Sequence, residues 1–444
     1  MTGDWSDWSG QQRCRPARRE QPADESELVS VVRRAAADGL VLRPVGSGHS
    51  FGALCVTDGV QVDLSQLDRV LDLDPVTGVA RVQAGITLHD LSLALHHRGR
   101  ALQNLGDIDR QTLAGALSTA THGTGEAFGN LSTQMVGGRL VRADGTVREL
   151  ADPGDPDSPD LLRAARVSLG ALGVLSEVSL QTVPAFRLHK REQPRALADV
   201  LAGLDELVAA NDHVEFYAVP YSGRALVMTS RRTDEPADPP PAWRTWLTDD
   251  LLANQALDLL QRTGRRVPRS QPALGRLTGA LMSGSTRLDD SHRVFATERR
   301  VRFTESEWAL PRAAAREAVH AVTRLVERHR LPVSFPVEVR FAAADDALLS
   351  TAYGRPTAYV AVHQYVGSDW QPYFRAVEEA MLDLDGRPHW GKRHEAPAAL
   401  LARRYPEWSR FAELRDGLDP DGLFVNDHLA RTLGVPAVHR TGNR

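Results

Sequence analysis

RPVGSGHSF, residues 43–51, follows a short apolar run and gathers two glycines, two serines and a histidine into one loop. Gly46 and Gly48 permit backbone conformations in which successive N–H groups converge on one anion. Ser47 and Ser50 add hydroxyl groups, and His49 stands near the end of the loop. No Gly-Lys-Ser/Thr follows, and the spacing is not G-x-G-x-x-G opening a helix, so two common phosphate-loop patterns are absent. Taken alone, the stretch fits either a phosphate-binding loop or a turn carrying a surface histidine.

Two further stretches favour the first alternative. GDIDRQTLAGALSTATHGTG, residues 106–125, is a second segment rich in glycine and hydroxyl side chains. GALGVLSEVSL, residues 170–180, sets glycines ahead of an alternating strand. Two loops of small residues suit a ligand with a long diphosphate arm, and the third piece can lay backbone against an adenine or ribose.

The chain has 444 residues, 42% hydrophobic and 25% charged, with a net charge of −4. The length points to two or three domains. The charge gives no footprint for nucleic acid or an acidic membrane surface. No apolar run reaches the roughly 18 residues of a spanning helix, and the N-terminal MTGDWSDWSGQQRCRPARRE has no apolar core of a secretory signal. With Cys14 and Cys55 the only cysteines, a disulfide framework is excluded and a cytoplasmic location is the default. Of 53 basic residues only Lys190 and Lys392 are lysines, a bias that suggests a GC-rich bacterial genome. Where arginine is used so freely, a retained lysine marks a place where a compact ammonium matters. Lys190 is assigned to a solvated face.

Residues 24–38 read as a helix with Asp24 and Glu27 as a capping box and Gly39 beyond its end. Residues 60–64 and 79–84 read as strands. Leu88, Leu91 and Leu95 mark a helix ending near Gly99, and residues 140–150 a hairpin turning at Asp144-Gly145. Near residue 185 the texture changes. A helical stretch at 196–210, paired strands after it, a proline-rich connection at 235–243, a long helical section that includes 311–329, and three strand-like pieces follow. The division is therefore residues 1–184, completed by 411–444, with a second α+β unit over 185–410.

The order of G-x-G-H-S, GDID-x-QT-x-AGA-x-ST-x-THGTG, LG-x-LG-V-x-S-x-V and HWGK resembles the vanillyl-alcohol-oxidase-type (PCMH-type) flavoproteins. Within them it is similar to the branch of aldonolactone oxidoreductases (gulonolactone and arabinonolactone oxidases) and alditol oxidases. The likeness runs from about residue 20 to LDPDGLFVND at 418–427 and is weakest between 190 and 300. It implies an α+β fold: a PCMH-type FAD-binding domain with an α+β substrate (cap) domain. It implies that His49 is bonded to the 8α-methyl of FAD while the loop backbone holds the pyrophosphate. A neutral imidazole is a competent nucleophile for that bond. Some relatives carry a second, cysteinyl link, but Cys55 lies in the wrong segment and reads as a small buried hydrophobe. The implied cofactor contacts are Arg43, Gly46, Ser47, Gly48, His49 and Ser50, then Gly106, Asp109, Gly115, Ser118, Thr119, His122 and Gly123, then Gly173 and Val174.

Hydride transfer to flavin N5 leaves negative charge near N1 and C2=O, which a fixed cation stabilises. Glu338 and Arg340 are two apart on a predicted strand, so both face one way; they can pair with each other or serve the reaction. The resemblance places them beside the flavin with Lys392, whose ammonium the composition also singles out. His363 reads as a substrate-hydroxyl ligand or a structural histidine. No cysteine pair, H-x-x-x-H or H-E-x-x-H accompanies the histidines, so no metal is expected. These polar groups suit a small polyhydroxy substrate. GDID, through Asp109, resembles the lactone-oxidising branch, which favours a sugar-derived 1,4-lactone of the gulono- or arabinono-type over an open-chain alditol such as xylitol or sorbitol. Oxidation of the lactone at C2 gives an ascorbate-type enediol, and oxidation of an alditol gives an aldose and hydrogen peroxide. Whether oxygen or another acceptor reoxidises the flavin stays open, and a monomer is the default.

Overall fold

A computed structural model describes residues 3–239, 257–297, 301–333 and 335–436. The connection expected at 235–243 lies outside the described residues from 240 onward. The helix Glu25–Ala37 forms as its caps require: the Asp24 side chain accepts from the Glu27 amide, and Glu27 accepts from the Ala23 amide. Its apolar stripe of Leu28, Val31, Val32 and Ala35 is buried, and Gly39 ends it at φ +66°.

The first half holds two sheets. Strands Arg18–Glu20, Val60–Asp63 and Leu42–Val45 lie parallel in that order. The glycine-rich loop leaves the last of them. A five-stranded antiparallel sheet takes the order Val147–Leu150, Met135–Val141, Val174–Gln181, Val79–Gln83, Val70–Leu73. Its core includes Val82, Leu91, Leu117 and Val178, and the same core takes in Trp390, Leu401, Phe411 and Leu429. The chain thus comes back to this core from residue 390 onward, with Ala347, Leu348 and Leu349 reaching it on the way.

Between these two visits lies an eight-stranded antiparallel sheet, ordered Ser285–Asp290, Arg187–Ala196, Arg224–Thr233, His213–Val219, Val337–Ala342, Thr357–Tyr365, Phe303–Pro311, Arg387–Pro388. Alternation gives it two unlike faces. Phe216, Val337, Val339, Phe341, Val360 and Val362 pack under the helices Ala315–Arg328 and Gln371–Asp383. The residues between them, Glu215, Glu338, Arg340, Tyr359 and His363, point the other way. The segment 106–125 docks on that second face: the Gly125 amide donates to the Phe341 carbonyl at 2.8 Å, and the Thr124 hydroxyl accepts from the Phe341 amide and donates to the Val214 carbonyl. No helix among the described residues is long and apolar enough to cross a membrane.

Candidate active site

Two adjoining cavities share the loop at 46–50. The first, about 890 Å³, is lined by Gly46, Ser47, Gly48, His49 and Ser50, by Gly115, Ser118 and Thr119, and by Gly170, Gly173 and Val174. The three stretches singled out in the sequence therefore meet around one cleft. Among the described residues, the amides of Ser47, Gly48, His49 and Ser50 have no acceptor within the protein. Such a run of free donors fits a diphosphate. Gly48 sits at φ +68°, where only glycine is unstrained.

The second cavity, about 750 Å³, is polar. Its floor comes from the loop and the second stretch (His49, Gly106, Thr119, His122), its wall from the sheet (Glu305, Glu307, Glu338, Arg340, His363) and from the turn carrying His389 and Lys392. His49 lines both cavities. Burial, then the Lys392 charge, pushes its pKa down to about 4, so the imidazole is neutral near pH 7. That is the form able to act as a nucleophile.

Arg340 is held by three carboxylates: Glu338 at 2.5 Å, Glu215 at 3.0 Å and Asp107 at 3.1 Å. Burial opposes its charge, but Asp107, Glu338 and Glu215 outweigh it and raise its pKa. The pairing of Glu338 with Arg340 and their place in the cavity are thus both real. Lys392 lies 2.6 Å from Glu305 and 3.8 Å from Glu307. Burial would depress its ammonium, yet these two carboxylates hold it above the usual lysine value. His363 Nε2 stands 3.6 Å from Glu305 and 3.7 Å from Glu338.

His122, Glu307 and His389 bring ligand atoms within 4.8 Å of one another. Their protons are already committed. His122 Nδ1 donates to the Gly123 carbonyl, and its Nε2 meets Glu307 at 3.1 Å, so one proton lies between them. His389 Nδ1 accepts from the Gly391 amide, and its ring is also bonded to the Ala120 backbone. The trio is a hydrogen-bonded wall, with the His122 ring stacked 3.5 Å from that of Tyr359.

Four sequence expectations need correction. Arg43 does not face the cleft: 1% exposed, it donates to the carbonyls of Leu54, Leu169, Gly170 and Phe424 and ties three segments together. Asp109 lines neither large cavity, because His89 Nδ1 holds it at 2.7 Å; Asp107 is the carboxylate of that stretch that reaches Arg340. Gly123 lines a smaller third cavity, and a Cβ there would meet the Leu105 carbonyl at 2.4 Å, so its need is packing. Lys190 is not solvated: its side chain is 14% exposed, 3.2 Å from Glu192, in the same third cavity as Arg340. Cys55 lines the first cavity, where burial raises its thiol pKa and leaves it a poor nucleophile.

Sequence reading missed Glu305, Glu307, Asp107 and both tryptophans of the first turn. Trp5 lines the first cavity and Trp8 the second, and the Trp8 amide donates to the Gly48 carbonyl at 2.8 Å. The available signal was the repeat of Trp-Ser three residues apart in DWSDWSG.

Residues 178–432 match the family model of D-arabinono-1,4-lactone oxidase, and residues 16–151 that of an FAD-binding domain. The chain is 51% identical to L-gulono-1,4-lactone dehydrogenase of Mycobacterium tuberculosis over 98% of its length and 100% of that protein. It is 32% identical to mouse L-gulonolactone oxidase, covering 97% and 98% of the two chains. Against the alditol oxidase of a Streptomyces species it is 31% identical, covering 96% and 98%. Cholesterol oxidase from Brevibacterium sterolicum superposes with a TM-score of 0.81 at 16% identity, covering 98% of this chain and 97% of that one, which shows the VAO/PCMH fold alone.

Proposed function

Because the chain belongs to the D-arabinono-1,4-lactone oxidase family and carries an FAD-binding domain, we propose that it oxidises a hydroxyl of a sugar-derived 1,4-lactone with FAD as hydride acceptor. It is a flavin-dependent oxidoreductase acting on CH–OH groups. One observation supports the substrate most: two cations, the buried Arg340 and the partly buried Lys392, share with His49 a cavity walled by carboxylates and histidines. Such a wall offers many hydrogen bonds to hydroxyls, with Trp8, Phe51 and Phe303 forming an apolar side to the same cavity. Bound in the glycine-rich cleft, FAD supplies the two-electron acceptor. Arg340 and Lys392 supply fixed positive charge where negative charge develops. His363, Glu305 and Glu338 orient the hydroxyl that gives up its proton.

We further propose that His49 is the covalent tether, a reading supported by its neutral imidazole at the junction of the two cavities. The division into an FAD unit of 1–184 with 411–444 and a substrate unit of 185–410 is supported by the eight-stranded sheet, whose strands all lie between 187 and 388. The alditol reading stands second, carried by the likeness to an alditol oxidase. Anaerobic bleaching of the yellow protein by a panel of lactones and alditols tests both, with oxygen uptake followed in parallel. Bleaching by 1,4-lactones ahead of alditols is expected; a protein that stays yellow with every lactone refutes the first reading. Acid precipitation should carry the flavin down with the chain, and flavin left in the supernatant refutes the tether.

A further inference from the structure

The polar cavity carries a surplus of negative charge. Its fixed cations are Arg340 and Lys392; its carboxylates are Asp107, Glu305, Glu307 and Glu338, with Glu215 behind Arg340. His49 and His389 are driven down to about 4 and about 3, chiefly by burial, so neither adds a positive charge at neutral pH. Counting the proton between His122 and Glu307, and one on His363 between Glu305 and Glu338, as further positive charges sets four against the five carboxylates and still leaves the carboxylates in excess. The arrangement is costly unless it is used, because like charges gathered in a buried pocket disfavour one another. Hydroxyl recognition alone does not call for it, since neutral donors and acceptors serve as well.

A 1,4-lactone needs such a discriminator. Water opens the ring, cleaving the acyl C–O bond to leave a carboxylate and a released proton. The resulting aldonate keeps the lactone's hydroxyls, gains a free one at C4 on an open chain, and carries a negative charge that the lactone lacks. The product poses a related problem. Oxidation at C2 sends a hydride to the flavin and a proton to solvent, and the 2-keto lactone rearranges to an enediol conjugated with the lactone carbonyl. That enediol is a vinylogous acid and loses a proton to become an anion. We propose that the carboxylate surplus, with Glu305 and Asp107 as its specificity-determining members, selects the uncharged lactone, rejects the ring-opened aldonate and hastens departure of the enediolate product. This rests on the substrate reading above. A surplus unit charge about 7 Å from a bound anion, at an effective dielectric near 20, changes affinity by roughly tenfold to a hundredfold.

The test uses the holoprotein and three probes: L-gulono-1,4-lactone, its hydrolysis product sodium L-gulonate, and a neutral six-carbon alditol. Binding is read from perturbation or bleaching of the flavin absorbance under anaerobic conditions. In the native protein gulonate should bind at least tenfold more weakly than the lactone. Glu305→Gln and Asp107→Asn should each narrow that gap about tenfold, with the alditol's affinity measured alongside as the reference for whatever hydroxyl contacts the substitution itself removes. Gulonate binding as tightly as the lactone in the native protein would overturn the proposal, as would an unchanged gap in both variants with native flavin spectra. Reduction by the alditol and not the lactone sinks the substrate reading separately, and the charge comparison then runs between alditol and gulonate.

Discussion

Lys392 shows what a single side chain is asked to do. Its ammonium lies 2.6 Å from Glu305 and 3.8 Å from Glu307, with the Phe51 ring 5.5 Å away. A guanidinium is longer and planar and does not fit that niche. Lys392→Arg and Lys392→Met should each slow flavin reduction about a hundred- to a thousandfold at unchanged FAD content, the loss typical of one preorganised charge. Stopped-flow reduction at the native rate in Lys392→Arg would leave Arg340 as the working cation. Lys190→Arg is no silent control, since Lys190 is buried beside the same network. Arg43 makes the opposite case. Its guanidinium, lowered to about 10 by burial, serves backbone carbonyls and lines neither of the two large cavities. Arg43→Ala orphans those acceptors and should lower stability by about 3 kcal/mol or more, read by urea unfolding, with the flavin spectrum of the folded fraction intact. The sequence could not separate these two basic residues, because a loop-flanking arginine looks the same whether its side chain turns toward the ligand or behind it.

At the scale of elements, the glycine-rich loops and the strands 337–342 and 357–365 were readable because their patterns are local: small residues in clusters, apolar residues in alternation. The strand Phe303–Pro311 was not. Its first half reads Phe-Thr-Glu-Ser-Glu, polar on both faces, yet every one of those residues is buried. Thr304 takes a hydrogen bond from the distant Arg393 and Ser306 one from the indole of Trp308 two residues on, so hydroxyls with side-chain partners stand where an apolar stripe would have announced a strand. Glu305 and Glu307 were hidden with it. The strand Val174–Gln181 starts from a different constraint. Gly173 has φ +144°, and a Cβ would fall 2.5 Å from the Val141 carbonyl. Gly173→Ala therefore has to move backbone in the five-stranded sheet, and a loss of at least about 2 kcal/mol with weakened FAD retention is expected. Thermal melts and the flavin-to-protein absorbance ratio check both.

Across the whole molecule, buried histidines set the response to acid. His389 and His394 are pushed down to about 3 and His428 to about 4, each chiefly by burial. The unfolded chain binds protons at these sites below about pH 6.5 while the folded chain does not. Stability is therefore complete above that pH and falls as pH drops toward 4. Asp345 works against this trend: burial raises it to about 6, so it favours the folded state as the medium becomes acid. With His49 also held down to about 4, the histidines outnumber Asp345 by three, which predicts a loss on the order of 4 kcal/mol per pH unit between roughly 6 and 4.5. Urea midpoints measured at pH 7.5, 6 and 5 should fall steadily, and a flat profile would contradict the buried neutral histidines.

The two-faced central sheet carries one more implication. Phe216, Trp308, Val339 and Val362 hold the helices, whereas Glu215, Glu305, Glu338 and His363, on the same strands, reach the cavity wall or the Arg340 ion pairs behind it. Folding and substrate choice are thus written on interleaved positions of the same strands, one residue out of phase. Mutations that retune the ligand can accumulate on one register without touching the other. A library randomised at 215, 305 and 363 should keep most members folded and yellow while spreading their substrate preferences, making this sheet a natural site of evolutionary divergence.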